Sequence, residues 1–293
     1  MIDYGIPPPG FRLPDETQLG AVRLQVADLD RSIAYYERVL GLRTHSRDGA
    51  AAALAPHGVD RALVRLHHRP NARPAPRRGA FGLYHFAILL PERAALGRFL
   101  AHLGELDEYV GTADHFVSEA IYLTDPDGLG IEVYADRPRS AWRHQQRQLY
   151  MTTDRLNAGH VVAAARGTRW QGMPPDTVMG HVHLHVGNLD EGAAFYHAAI
   201  GFDKVVWSYP GALFLSAGGY HHHLGTNTWS HGPNPSADQA RLLSWDIVIP
   251  RREDATAAAA SVAAAGYEVH DDDGAFRAID PWGTAVRLVP ERD

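Results

Sequence analysis

The chain contains no cysteine, which excludes disulfides, thiolate nucleophiles and iron–sulfur clusters. It has no apolar run of the length needed to cross a bilayer. Nor does it carry an excess of positive charge: 28 Lys and Arg face 34 Asp and Glu, for a formal net charge of -6 and a pI of about 6.3. Neither nucleic acid nor a membrane is therefore expected as a partner. Residues 1–9 lack the basic and apolar regions of a secretion signal, so a cytoplasmic location is the expectation. What is left is 293 residues, 45% of them hydrophobic, ample for a large core or two domains.

Histidine, by contrast, is abundant, with 18 residues. Many of these, such as His45, His57, His102 and His270, sit in no pattern and read as surface or turn residues. Two stretches differ. His85-Phe86-Ala87-Ile88-Leu89-Leu90 and His181-Val182-His183-Leu184-His185-Val186 each open a strand-like run with histidine. A third, Gly130-Ile131-Glu132-Val133-Tyr134, places a carboxylate in mid-strand after the turn sequence Asp125-Pro126-Asp127-Gly128. Two imidazoles and a carboxylate on three strands suit a redox-active divalent metal, with coordination positions left open as non-haem Fe(II) oxygen chemistry requires.

Internal repeats set the architecture. Val22-Arg23-Leu24-Gln25-Val26-Ala27-Asp28-Leu29 matches Val182-His183-Leu184-His185-Val186-Gly187-Asn188-Leu189. Each continues through an amphipathic helix to a stopping glycine, Gly41 or Gly201. The stretches from His85 and from Ser244 share the same outline and end in Asp-Pro-x-Gly turns at Asp125 and Asp280. The reading is an α+β chain of four βαβββ modules, near 19–70, 81–136, 178–229 and 242–290. Residues 1–18 are an N-terminal extension and 70–78 a Pro/Arg linker between the first two modules. A longer linker over 137–177, with helical character near Leu156 to Ala165, separates 19–136 from 178–290.

Paired βαβββ modules resemble the vicinal-oxygen-chelate superfamily, which includes glyoxalase I, type I extradiol dioxygenases and bleomycin-resistance proteins. The stretches 82–91, 114–120, 180–186 and Gly218-Gly219-Tyr220-His221-His222-His223 are similar to bacterial catechol 2,3-dioxygenases. The resemblance implies two modules closing around one metal, with ligands at the start of the first strand and the middle of the last strand of a module. Module 2 offers His85 and Glu132, and module 3 offers His181. Modules 1 and 4 have Ala21 and Ser244 at the first position, and module 4 has Arg287 where module 2 has Glu132. A complete site therefore requires module 2 to pair with module 3 and, by elimination, module 1 with module 4. His183 and His185 share the face of His181 and are candidates for second ligands or for donors behind the ligands, with the spacing favouring His181 as the primary ligand.

The resemblance also implies a proton-transferring histidine after a Gly-Gly pair in module 3. That points to His221, with His223 second, on the expectation that the triplet lies in a strand. His115 and Tyr122, the latter ten residues before Glu132, are the candidates for bonding substrate oxygen. Asn227 and Trp229 are further candidates for the pocket wall. Arg137, Arg139 and Arg143 read as a solvated face or as partners of a substrate carboxylate. The implied activity is Fe(II)-dependent (or Mn(II)-dependent) extradiol cleavage of a catechol by O2, and a homo-oligomer is compatible with the resemblance. A glyoxalase-like isomerase or lyase would add a fourth ligand, often a carboxylate, and 220–223 offers no acid. A non-enzymatic small-molecule binder would need no metal ligands at all.

Overall fold

The computed structural model describes residues 4–76 and 80–291; the last two residues of the expected 70–78 linker lie outside them. Its sixteen principal strands form two eight-stranded sheets. In one, module 2 (Gly82–Leu89, Gly111–Asp114, Ser118–Thr124, Gly130–Asp136) lies beside module 3 (Val178–His185, Asp203–Val206, Ala212–Ser216, Leu224–Asn227). In the other, module 1 (Gln18–Val26, Arg43–Asp48, Ala51–Ala55, Val64–His68) lies beside module 4 (Arg241–Ile249, Val269–Asp272, Ala275–Ile279, Ala285–Pro290). The fold is thus α+β, with the pairing that the distribution of ligand types requires.

Within each module the first strand is parallel to the last, which needs a crossover, and one helix supplies it. Asp28 caps the first helix by accepting from the Arg31 N–H, and Asn188 caps its counterpart by accepting from the Asp190 and Glu191 N–H groups. Two modules join through their first strands, which run antiparallel: Val178–His185 on Gly82–Leu89, and Gln18–Val26 on Arg241–Ile249. Each junction carries two β-bulges. In the module 2/3 sheet Gly180 is the extra residue on one strand and Tyr84 on the other. A Cβ at Gly180 would lie 1.9 Å from the Tyr134 hydroxyl, so the close approach requires glycine there.

Sequential modules meet differently, through a helix and a turn. The Tyr36 hydroxyl of module 1 donates to Asp125 of module 2 at 3.2 Å, and Tyr196 of module 3 donates to Asp280 of module 4 at 2.7 Å. Each aspartate also accepts two backbone N–H groups of its own turn. Most buried side chains of both sheets and their helices form one core, including Phe86, Phe99, Phe195 and Trp245, while smaller clusters around Trp142 and Phe214 and around Ala87 and Tyr134 are separate from it. In the segment 137–177 the helix Ala158–Ala164 packs on Arg93–Glu105, and the chain before it returns across the module 2/3 sheet.

Candidate active site

The antiparallel junction and the parallel neighbour Gly130–Asp136 bring His85, His181 and Glu132 together. The Glu132 carboxylate lies 3.0 Å from His85 Nε2 and 3.2 Å from His181 Nε2, and the two nitrogens are 3.3 Å apart. All three residues are buried. Donors bonded at about 2.1 Å to one ion and occupying adjacent coordination positions stand about 3 Å apart, so this set fits a divalent metal. Among the described residues it is the one His/Cys/Asp/Glu group with that convergence.

The electrostatics agree with the geometry. Burial alone would raise the Glu132 carboxyl, but the imidazoles of His181 and His85 hold it well below the usual carboxylate range. Burial pushes His181 down to about 4, against the pull of Glu132. One carboxylate and neutral imidazole are the protonation states a metal needs from these groups. His181 Nδ1 has no hydrogen-bond partner among the described residues; its ring is held by contact with His222 (centroids 4.1 Å apart) and Tyr134 (5.0 Å).

The triad forms one wall of a cavity of about 310 Å³. His115 and Tyr122 line it, with Tyr122 directly across the strand pair from Glu132. The Thr152 carbonyl accepts from His115 Nδ1 at 2.7 Å, which leaves Nε2 to accept the Tyr122 hydroxyl proton at 2.6 Å. Burial, with Glu132 nearby, raises the Tyr122 hydroxyl well above its ordinary value and keeps it protonated.

The histidine triplet departs from expectation. Residues 217–223 form a turn, not a strand, with Gly218 and Gly219 in the left-handed region at φ +59° and +63°. Period-two alternation therefore does not apply, and His222, not His221 or His223, lines the cavity. His221 is fully buried behind it, with Nε2 2.9 Å from Asp136 and Nδ1 2.8 Å from His222 Nδ1. If the carboxylate accepts from His221, then His221 Nδ1 accepts from His222 Nδ1, and Nε2 of neutral His222 is left without a proton. His223 turns away, accepting the Ala217 N–H at 3.2 Å, and burial pushes it down to about 3.

His183 lines the cavity beside His85, whereas His185 pairs with Asn227 at 2.7 Å outside it. Trp229 lines the cavity and Asn227 does not. Tyr84, Tyr209, Phe214 and residues 151–153 complete the wall, and none of these stood out in the sequence. Tyr84 would point away from His85 in a regular strand; the bulge puts both on the cavity. That bulge has no sequence signal.

The family model of the Glyoxalase/Bleomycin resistance protein/Dioxygenase superfamily matches residues 18–133 and 178–287. A protein of Bacillus subtilis (strain 168) named catechol-2,3-dioxygenase is 42% identical over 272 residues, spanning 91% of this chain and 95% of its own length. A solved structure from Bacillus subtilis, proposed as a dioxygenase, superposes with a TM-score of 0.65 at 14% identity, covering 97% of this chain and 87% of that one. Glyoxalase I from Zea mays gives 0.58 at 18% identity, covering 94% and 92%. The two structures share the fold. The two family matches, each covering a pair of consecutive βαβββ modules on either side of the 137–177 segment, place the chain in the Glyoxalase/Bleomycin resistance protein/Dioxygenase superfamily.

Proposed function

We propose that this chain is an extradiol ring-cleaving dioxygenase, adding O2 to a catechol or substituted catechol at an Fe(II) centre, or Mn(II) in its place, held by His85, Glu132 and His181. The observation that carries the reading is the convergence of these three donors on a cavity walled largely by aromatic rings, whose described lining supplies no second carboxylate. A glyoxalase-like site closed by a further acidic ligand finds no such residue among the described lining. The 42% identical relative named catechol-2,3-dioxygenase supports the same choice.

Bound metal would supply coordination for both the diol and oxygen and a route for electrons between them. The remaining work falls to the chain. His222 is the proton acceptor for a catechol hydroxyl and returns the proton later in the reaction, a contribution of about two to four powers of ten in rate. His221 and Asp136 orient it from behind. Tyr122, its proton engaged by His115, offers its oxygen to a substrate hydroxyl. Tyr84, Phe214 and Trp229 flank the ring and limit water.

Anaerobic loading with Fe(II), addition of catechol and admission of air tests this. Stoichiometric oxygen uptake with a yellow ring-fission product is expected. Bound iron with no uptake across several catechols contradicts it.

A further inference from the structure

The cavity's charge content bears on which catechols enter, an inference that rests on the ring-cleavage reading. We propose that the site selects catechols whose ring substituent is neutral and apolar, and rejects those whose substituent is a carboxylate.

Among the described residues lining the cavity there is no Lys or Arg, and Glu132, facing His85 and His181, is the only acid. The three arginines that follow the Glu132 strand are committed elsewhere. Arg137 donates to both oxygens of Asp114 at 2.6 and 2.7 Å and to Glu119 at 3.2 Å. Arg139 donates to the Gly218 carbonyl and lies over Trp142, and Arg143 lies over Phe116. None lines the cavity. With the charge of a bound metal met by Glu132 and the diol oxygens, a carboxylate carried on the ring would lose its water and find no Lys or Arg in the described lining to pair with.

Space favours a substituent nonetheless. A dry cavity of about 150 Å³ suffices for benzene in other proteins, and this one is about 310 Å³. The surplus leads to the mouth, where Tyr84 (41% exposed) and Trp229 (46% exposed) meet edge to face at 5.9 Å, with Met151 and Phe214 on the wall. A methyl, ethyl or chloro group would meet apolar surface there.

The test compares iron-loaded protein on catechol, 4-methylcatechol and 3,4-dihydroxybenzoate, with anaerobic calorimetry on the same three ligands as a readout independent of turnover. The kcat/KM for 4-methylcatechol should equal or exceed that for catechol, and that for 3,4-dihydroxybenzoate should be lower by about a hundredfold or more, with binding weakened in parallel. Thr153 is an exposed residue of the lining. Thr153→Arg should raise 3,4-dihydroxybenzoate turnover at least tenfold relative to 4-methylcatechol. Catechol and 3,4-dihydroxybenzoate turned over equally by the unaltered protein overturns the inference and leaves the ring-cleavage reading intact. Turnover of no catechol overturns the ring-cleavage reading and the inference with it.

Discussion

Where the module 2/3 sheet carries His85, His181 and Glu132, the module 1/4 sheet carries Ser244, Ala21 and Arg287 at the same register positions. Glu132 faces Ala87 across its parallel pair, two residues past His85, and Arg287 faces Asp246, two residues past Ser244. The bulges recur as well, with Leu243 as the extra residue where the other sheet has Tyr84. The contents of the two concave faces diverge. One holds a space of about 310 Å³ walled largely by aromatic rings; the other holds a larger one of about 1230 Å³ lined by arginines and acids. Asp246 there accepts from Arg23 at 2.5 Å and from Arg287 at 3.2 Å, and Arg287 also reaches Asp272 at 2.5 Å. A guanidinium cannot give up its proton to bind a metal, so ion pairs join the strands of that face. The two sheets share one scaffold, and on the proposed reading three side chains decide which of them can support the chemistry.

The sharpest break in that comparison is a matched pair of substitutions. Glu132→Gln should abolish retention of iron and lower turnover by about a thousandfold or more, read by elemental analysis and an oxygen electrode. Arg287→Gln at the equivalent position should leave both within about twofold and show only in urea unfolding, at a cost of about 1–3 kcal/mol as Asp246 and Asp272 lose a partner.

Next in size is His222→Ala. It should lower kcat by about two to four powers of ten while iron stays bound. His221→Ala, acting through His222, should cost about tenfold, with a displaced pH profile as the sign that orientation of His222 is lost. Equal losses in both variants, or none for His222→Ala, would remove His222 from proton transfer.

The smallest effect compares the two hydroxyl–carboxylate contacts between sequential modules. Burial raises Asp125 to about 7 and Asp280 to about 6. A carboxyl that holds its proton more tightly when folded contributes stability at pH 4, and that contribution is lost as pH rises through the folded value. Asparagine keeps an oxygen for the turn N–H groups and does not titrate. Relative to the unaltered protein, Asp125→Asn should therefore gain about 2–4 kcal/mol between pH 4 and pH 8, and Asp280→Asn less. Denaturant unfolding at the two pH values checks the order.

The four modules, their pairing and the three converging donors were legible in the sequence because each rests on a repeat or a fixed period. Where the period stops, so does the reading. Residues 217–223 turn through two left-handed glycines, and which of three adjacent histidines meets the cavity depends on that turn alone. Tyr84 is re-aimed by a bulge, and His115 is fixed by the Thr152 carbonyl, part of a segment with no periodic pattern. For the arginines at 137, 139 and 143 the sequence alone allows two readings, because their partners Asp114, Gly218 and Phe116 are set by tertiary contacts.

The measurement that bears most directly on the difference between the two sheets is a count of Fe(II) ions bound per chain under argon, in the unaltered protein and in Glu132→Gln. One ion per chain, absent from the variant, is the expected result. Two ions per chain, or one retained without Glu132, would contradict a single centre built from His85, Glu132 and His181.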